Sequence, residues 1–421
     1  MSSIAAAATA VAGGEGRWGG GGGEGREGGG RGGGAGKKGK SRMQRWFPGT
    51  AHPLVVSAPM AFVTTPELAT EVVRADGLGF IQGGRTFKPG SPDLAQLEAQ
   101  LARARDLLSR AERRTDDVLP VGVGFVLFSD CAAAHFAATA APILARHRPA
   151  AVWLFAPDPD GPPDTLRRIV ESLRSSSTAT TSSTATATAA ATPPPPPPPP
   201  LPPPSPLRIV IQVGTVAAAR HAAALGADVI VAQGIDAGGH QFARGAGVVS
   251  LVPEVCDMLR EEFPDREIAV WAAGGIADGR GVAAALALGA EAAVLGTRYM
   301  VAPESEAQDY KREALLSASD GATSTVKSQI HDHVQGNRTW PALYDGRALV
   351  HPSYTDHQAG VPIEENEARY KAAKEKGDVS RMVTWSGSAV GLVRSALPAA
   401  EITRNVREEA VAAIERLRAA M

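Results

Sequence analysis

A histidine behind a glycine pair ends the segment Gln233-Gly234-Ile235-Asp236-Ala237-Gly238-Gly239-His240, which continues an apolar run. Imidazole changes charge near neutral pH, so His240 is a candidate acid or base. The other eight histidines have no such setting and are assigned structural places. Gln233 carries a donor and an acceptor on one planar group, which suits the edge of a planar ring. Asp236 either orients His240 or caps its turn.

Glycines gather in two further segments, Ala273-Gly274-Gly275-Ile276 and Gly296-Thr297-Arg298-Tyr299, each behind an apolar run. Glycine lets backbone approach a ligand closely, and amides at loop and helix starts bind anions. A single Gly-Gly pair reads equally well as a tight turn. Two such segments at the ends of successive runs point to a phosphate-bearing ligand. Ala58-Pro59-Met60 and Gln82-Gly83-Gly84 stand at the ends of the first two runs.

Eight short apolar runs lie at 53–57, 78–81, 119–124, 151–155, 208–212, 228–232, 267–271 and 292–295. They are rich in Val, Ile and Phe and most lack polar alternation, as strands buried on both faces do. Between them, stretches such as 66–75, 93–111, 216–225 and 279–288 carry apolar residues at helical spacing. Several end in glycine, which supplies the left-handed residue closing a helix. Eight strand-helix units in series predict an α/β fold, a closed (β/α)8 barrel over 46–302. In such barrels the site lies at the C-terminal strand ends, and the last two loops hold phosphate.

The barrel pattern is broken by residues 175–206, a Ser/Thr/Ala tract followed by the proline run Pro193 to Pro200. It reads as a low-complexity insertion in a helix-to-strand connection, on the face away from the site. A polyproline II rod of this kind suits an SH3 or WW partner, or is simply a solvated loop. Residues 1–45 are glycine-rich with little to bury, and disorder is expected there. Residues 303–421 drop the strand-helix rhythm. Helical stretches at 304–317 and 404–420 flank a loop-rich centre holding Trp340, Tyr344 and Trp385. A smaller, mostly helical domain covering the barrel mouth is expected, with those aromatics lining a cleft or packing as core.

The 421 residues are 44% hydrophobic and 21% charged, which fits a globular protein. A net charge of −1 argues against a dedicated nucleic-acid binder. No run of 18 apolar residues is present, so no membrane span is expected. Cys131 and Cys256, the two cysteines, are too few for a disulfide framework or a zinc site. They read as buried free thiols in a reducing, cytoplasmic setting, an organellar one remaining open.

Taken together, Ala58-Pro59-Met60, the Gln233 to His240 segment, Ala273-Gly274-Gly275-Ile276 and Gly296-Thr297-Arg298 resemble the nitronate monooxygenase family, formerly called 2-nitropropane dioxygenases. The resemblance spans about 46–415, omitting the proline insertion. It implies FMN and no metal. It implies that backbone at Pro59 and Met60 packs on the flavin, that Gln82 supplies the polar group after the second strand, and that Gln233 contacts the isoalloxazine. It further implies that Gly238 lies beside the cofactor and that Gly274, Gly275, Gly296 and Thr297 hold its phosphate. His240 would be the catalytic residue. The implied reaction joins a small nitronate and O2 to give a carbonyl compound and nitrite. One departure is Asp236, where the family commonly has Glu. The same motifs occur in FMN-dependent enoyl-thioester and quinone reductases, and a non-catalytic phosphate-binding barrel is the remaining alternative.

Overall fold

Among the described residues, eight of the eleven strands are parallel, and together they build one barrel. The computed structural model describes residues 40–112, 118–129, 131–179 and 207–421. The strands are β1 (Leu54–Ser57), β2 (Phe80–Gln82), β3 (Leu119–Val126), β4 (Pro149–Phe155), β5 (Arg208–Val213), β6 (Val229–Gln233), β7 (Gly239–Phe242), β8 (Ala269–Ala273), β9 (Ala292–Leu295), β10 (Thr325–Ser328) and β11 (Tyr344–Leu349). The parallel sheet runs β1-β9-β8-β6-β5-β4-β3-β2. Its two ends meet: the Leu78 amide donates to Val55 O and the Ser57 amide to Leu78 O, both at 3.1 Å. The ring of strands is thereby closed.

Alternation along each strand sorts side chains inward or outward. Leu54, Val56, Phe80, Trp153, Val210, Val231, Trp271 and Val294 fill the interior. Ala151, Ala269 and Ala292 belong to the same cluster as the two indoles. Phe80 meets Trp153 edge-on at 5.2 Å. Val55, Ile81, Val123, Ile209 and Ile230 point outward under the helices. Thr65 and Thr215 accept from the Leu68 and Ala218 amides and start the helices Pro66–Arg74 and Val216–Ala224. Asp278 does the same for Gly279–Ala287. Gly226 and Gly289, at φ +100° and +104°, turn the chain from helix to strand.

Three differences from the sequence reading have physical causes. First, order begins before residue 46. Ser41 and Gln44 form a reciprocal capping box on the helix Arg42–Trp46. That helix seals the N-terminal end of the barrel: Met43, Trp46 and Phe47 join the interior cluster, and the Trp271 indole N–H points at Met43 Sδ, 3.3 Å away. The Arg208 guanidinium lies 4.3 Å from the Trp46 ring centre. Second, the helix Thr165–Ala179 runs through the first residues of the Ser/Thr tract. The rest of that tract and the proline run, with its SH3 or WW expectation, lie outside the described residues, as do residues 1–39.

Third, the segment after residue 302 is not helices and loops alone. β10, β11 and β7 form an antiparallel sheet, with Gly346 opposite His240 and Tyr344 opposite Phe242. Burial alternates along β11, with Tyr344, Gly346 and Ala348 inside. The C-terminal helix is longer than its pattern, Ala399–Ala420, and packs on the barrel's outer helices. Its Thr403 Oγ1 lies 2.7 Å from Tyr299 Oη. Residues Lys40–Met421 form one compact unit. Both thiols are free; Cys131 is buried, whereas Cys256 is only half-buried. No helix among the described residues is long and apolar enough to cross a membrane.

Trp46 is 6% exposed, so Trp46→Ala should remove about 3–5 kcal/mol of stability, read as a lower urea midpoint. An unchanged midpoint would mean that the sealing helix contributes nothing to the barrel.

Candidate active site

The residues singled out from the sequence converge on one sector of the barrel rim. Gln82 ends β2, Pro59 and Met60 follow β1, Gly296 and Thr297 follow β9, Gly274 and Gly275 follow β8, and Gln233 ends β6. Those five strands are consecutive around the closed ring. Below the rim the strands are buried; at the rim these residues are half-buried and Gly275 is exposed. Gly274 and Gly275 both have positive φ, +101° and +74°, which side chains rarely adopt. A Cβ on Gly274 would stand 2.6 Å from Gly234 O. A Cβ on Gly296 would meet nothing nearer than Met60 Sδ at 3.7 Å, so that rim position is open. Bare backbone on β8 and β9, carboxamides on β2 and β6, and the apolar Pro59-Met60 turn between them suit a flat ring carrying a phosphate.

A chain of hydrogen bonds orients the Gln233 amide. The Trp153 indole N–H donates to Gln212 Oε1 at 2.9 Å. Gln212 Nε2 donates to Gln233 Oε1 at 2.7 Å, and Gln233 Nε2 donates to His240 O at 3.3 Å. Indole is a donor only, so it dictates the orientation of both amides in turn. Gln212 and Trp153 were not singled out in the sequence; both sit on β-strands whose inward positions read simply as core. Gln82 is engaged as well, accepting from the Phe62 amide at 3.4 Å. Phe62 holds a left-handed φ of +59° with its ring 79% exposed. That backbone costs about 1–2 kcal/mol for a non-glycine residue.

His240 lies on β7, just beyond Gln233, and is clamped on its face and along one edge. Its ring stacks on Trp340 at 3.7 Å and 10°, with Trp385 tilted 4.7 Å away. Its Nε2 lies 2.9 Å from Asp332 Oδ2 and 3.1 Å from Asp332 Oδ1. Asp332 is therefore the partner that the sequence reading sought in Asp236. Asp236 turns the other way and accepts from the Ser388 hydroxyl at 2.9 Å. Asp332 lies 92 positions from His240 and no spacing rule connects them. It belongs to the short helix Ile330–His333, which the neighbouring His331 anchors. The His331 ring is fully buried, with Nε2 3.0 Å from Val326 O and Nδ1 2.9 Å from His351 Nε2. Burial, then the nearby His331 and Arg381, push the His351 imidazole down to about 4.

The segment Trp385 to Ser388 closes over the same sector. The Gly387 amide donates to Thr297 Oγ1 at 2.9 Å, and the Ser388 amide donates to Asp236 O at 3.0 Å. Gly238 is the contact point. A Cβ there would stand 2.4 Å from Gly387 N and 2.5 Å from the Ser386 carbonyl carbon. Glycine at 238 is thus required by the close approach of another backbone.

Comparison with known proteins bears on this arrangement. Residues 201–409 match the family model described as nitronate monooxygenase. A nitronate monooxygenase of Neurospora crassa is 46% identical over 386 residues, covering 90% of this chain and 94% of the relative. The chain belongs to the nitronate monooxygenase family. A second member, nitronate monooxygenase npaC of Metarhizium robertsii, is 36% identical, covering 88% of this chain and 94% of its own. Two solved structures share the fold at 24% identity. FabK from Thermotoga maritima aligns with a TM-score of 0.63, covering 91% of this chain and 99% of its own. A nitroalkane oxidase from Streptomyces ansochromogenes aligns with a TM-score of 0.61, covering 90% and 100%. Membership makes the chain a flavin-dependent oxidoreductase acting on a small molecule.

Two measurements follow from the geometry. Gly238→Ala should cost about 1–3 kcal/mol, because both clashing atoms are backbone. An unchanged urea midpoint would mean that the Trp385 to Ser388 segment yields freely. The His351 shift sets a pH dependence. Between its ordinary value of 6.5 and about 4, the unfolded chain takes up a proton that the folded one refuses. Stability should therefore fall as pH drops through that window and be unaffected by this group above it. In His351→Gln the fall should be shallower; a slope as steep as the wild type's would assign it to other groups.

Proposed function

We propose that the protein binds FMN and oxidises alkyl nitronates with O2, giving carbonyl compounds and nitrite. The observation that carries this reading is the convergence of His240 and the five-strand rim sector, in a chain of this family. In this reading Gly274, Gly275, Gly296 and Thr297 hold the phosphate. Pro59, Met60, Gln82, Gln233 and Gly238 surround the ring. The bound flavin supplies the electron acceptor; the protein supplies position and electrostatics.

His240 does the proton work. A neutral nitroalkane must first lose its α-proton. The C–H bond breaks, its electron pair stays on the substrate as the nitronate, and the proton passes to the imidazole. Trp340 and Trp385 keep the ring half-buried, with only 17% of its side chain exposed, which limits competition from water. The residues after 302 act as the cover of the mouth, supplying Asp332, Trp340 and Trp385.

The reading is tested by adding propionate 3-nitronate and, separately, NADPH to the anaerobic protein. Flavin bands that change with the nitronate but not the nucleotide are expected. Bands bleached only by NADPH would move the assignment to a reductase. His240→Ala should keep its flavin spectrum yet lose about 10²–10⁴-fold in nitroalkane turnover. A preformed nitronate should be turned over with much less loss; undiminished nitroalkane turnover would remove His240 from the mechanism.

A further inference from the structure

We infer that Asp332 is the positioning residue for His240. It holds the ring with Nε2 protonated and leaves Nδ1 as the atom that takes the substrate's proton. The inference rests on the proton-transfer role proposed above and adds a residue and an atom to it.

The chemistry of the pair dictates the assignment. A neutral imidazole has one N–H and one lone pair, and an ionised carboxylate can only accept. With Nε2 at 2.9 and 3.1 Å from the two Asp332 oxygens, Nε2 must carry the hydrogen and Nδ1 the lone pair. Among the described residues the hydrogen bonds of the ring all run through Nε2 to Asp332. Stacking on Trp340 fixes the plane of the ring but not which edge faces which way. A half-turn about Cβ–Cγ preserves the stack and forfeits the carboxylate, so the hydrogen bond selects the edge.

Asp332 is itself held in place. Its side chain is 6% exposed. Asn337 Nδ2 approaches Asp332 Oδ1 at 3.4 Å, and the Asn337 amide donates to Asp332 O at 3.0 Å. The Ser328 hydroxyl accepts from the Ile330 amide at 3.1 Å at the start of the short helix, and the buried His331 ring ties the helix to Val326. When His240 takes a proton, the fixed carboxylate faces the new positive charge without reorganising. A buried ion pair is otherwise costly to assemble, and here the geometry is set in advance.

Two experiments on the full chain decide the matter. The first compares neutral nitroethane with preformed ethyl nitronate in Asp332→Asn and Asp332→Glu. Asp332→Asn should lower kcat/KM for nitroethane by about 10²–10⁴-fold while the nitronate changes by less than about threefold, with the flavin spectrum unaltered. Asp332→Glu should recover part of the loss. An equal fall on both substrates would reduce Asp332 to a structural residue, and no fall on either would overturn the proposal. The second experiment reads the ring directly by ¹⁵N chemical shifts of histidine-labelled protein, with His240→Gln identifying the signals. Protonated Nε2 and bare Nδ1 are expected in the wild type, and a mixture in Asp332→Asn, whose amide can donate as well as accept. Protonated Nδ1 in the wild type, or no change in the variant, would overturn the assignment. If the wild type oxidises neither substrate, the proposed function fails, while the ¹⁵N measurement still decides what Asp332 does to the ring.

Discussion

The backbone pairing of His240 with Gly346 is the contact on which the site depends. The barrel alone presents a rim of glycines and amides. It does not hold an imidazole in a defined plane beside a carboxylate. Antiparallel pairing of β7 with β11 draws the excursion after β6 out of the barrel and into a second, small sheet. β10 joins the same sheet, and the short helix after it carries Asp332. Trp340, just before β11, and Trp385, after it, both reach the imidazole. The catalytic candidate thus sits on the small antiparallel ladder, a few residues beyond the end of the barrel's β6.

The barrel constrains what the rim can be. Parallel strands buried on both faces are mostly apolar along their length, so the groups that can do chemistry gather at their ends. The interior shows the transition within one hydrogen-bond chain. Trp153 belongs to the aromatic filling, yet its N–H starts the sequence of bonds that reaches Gln233 at the rim. Packing below and orientation above are therefore coupled through Gln212. At the other end, Met43, Trp46 and Phe47 complete the filling from outside the strands, which is why the barrel needs residues that precede β1.

The parts legible in the sequence are those with a local signature. Runs such as 208–212 and 292–295 are apolar because both faces are covered, and they mark β5 and β9 closely. The helical spacing at 66–75, 216–225 and 279–288 marks three helices that Thr65, Thr215 and Asp278 cap. The glycine pairs reveal the rim because a positive φ or a close approach leaves few other residues possible. What was not legible has its cause elsewhere in the chain. The helix Arg42–Trp46 is short, and its Ser41-to-Gln44 box is hidden behind a glycine-rich tract. β7 is four residues long and contains Gly239, so it reads as a loop until β11 lies beside it. Asp332 is one acidic residue among many, and only the fold brings it across 92 positions to His240.

The order in which the chain is made gives the β7–β11 pairing a temporal meaning. Every strand of the rim sector is complete once synthesis has passed Thr297, whereas Asp332 lies 35 residues further on and β11 later still. Domains fold as units during synthesis, and both groups fall within the one unit Lys40–Met421. A chain that stops between them carries every residue of the rim sector but not the carboxylate that faces His240, so the imidazole's setting is the last part of the candidate site to be translated.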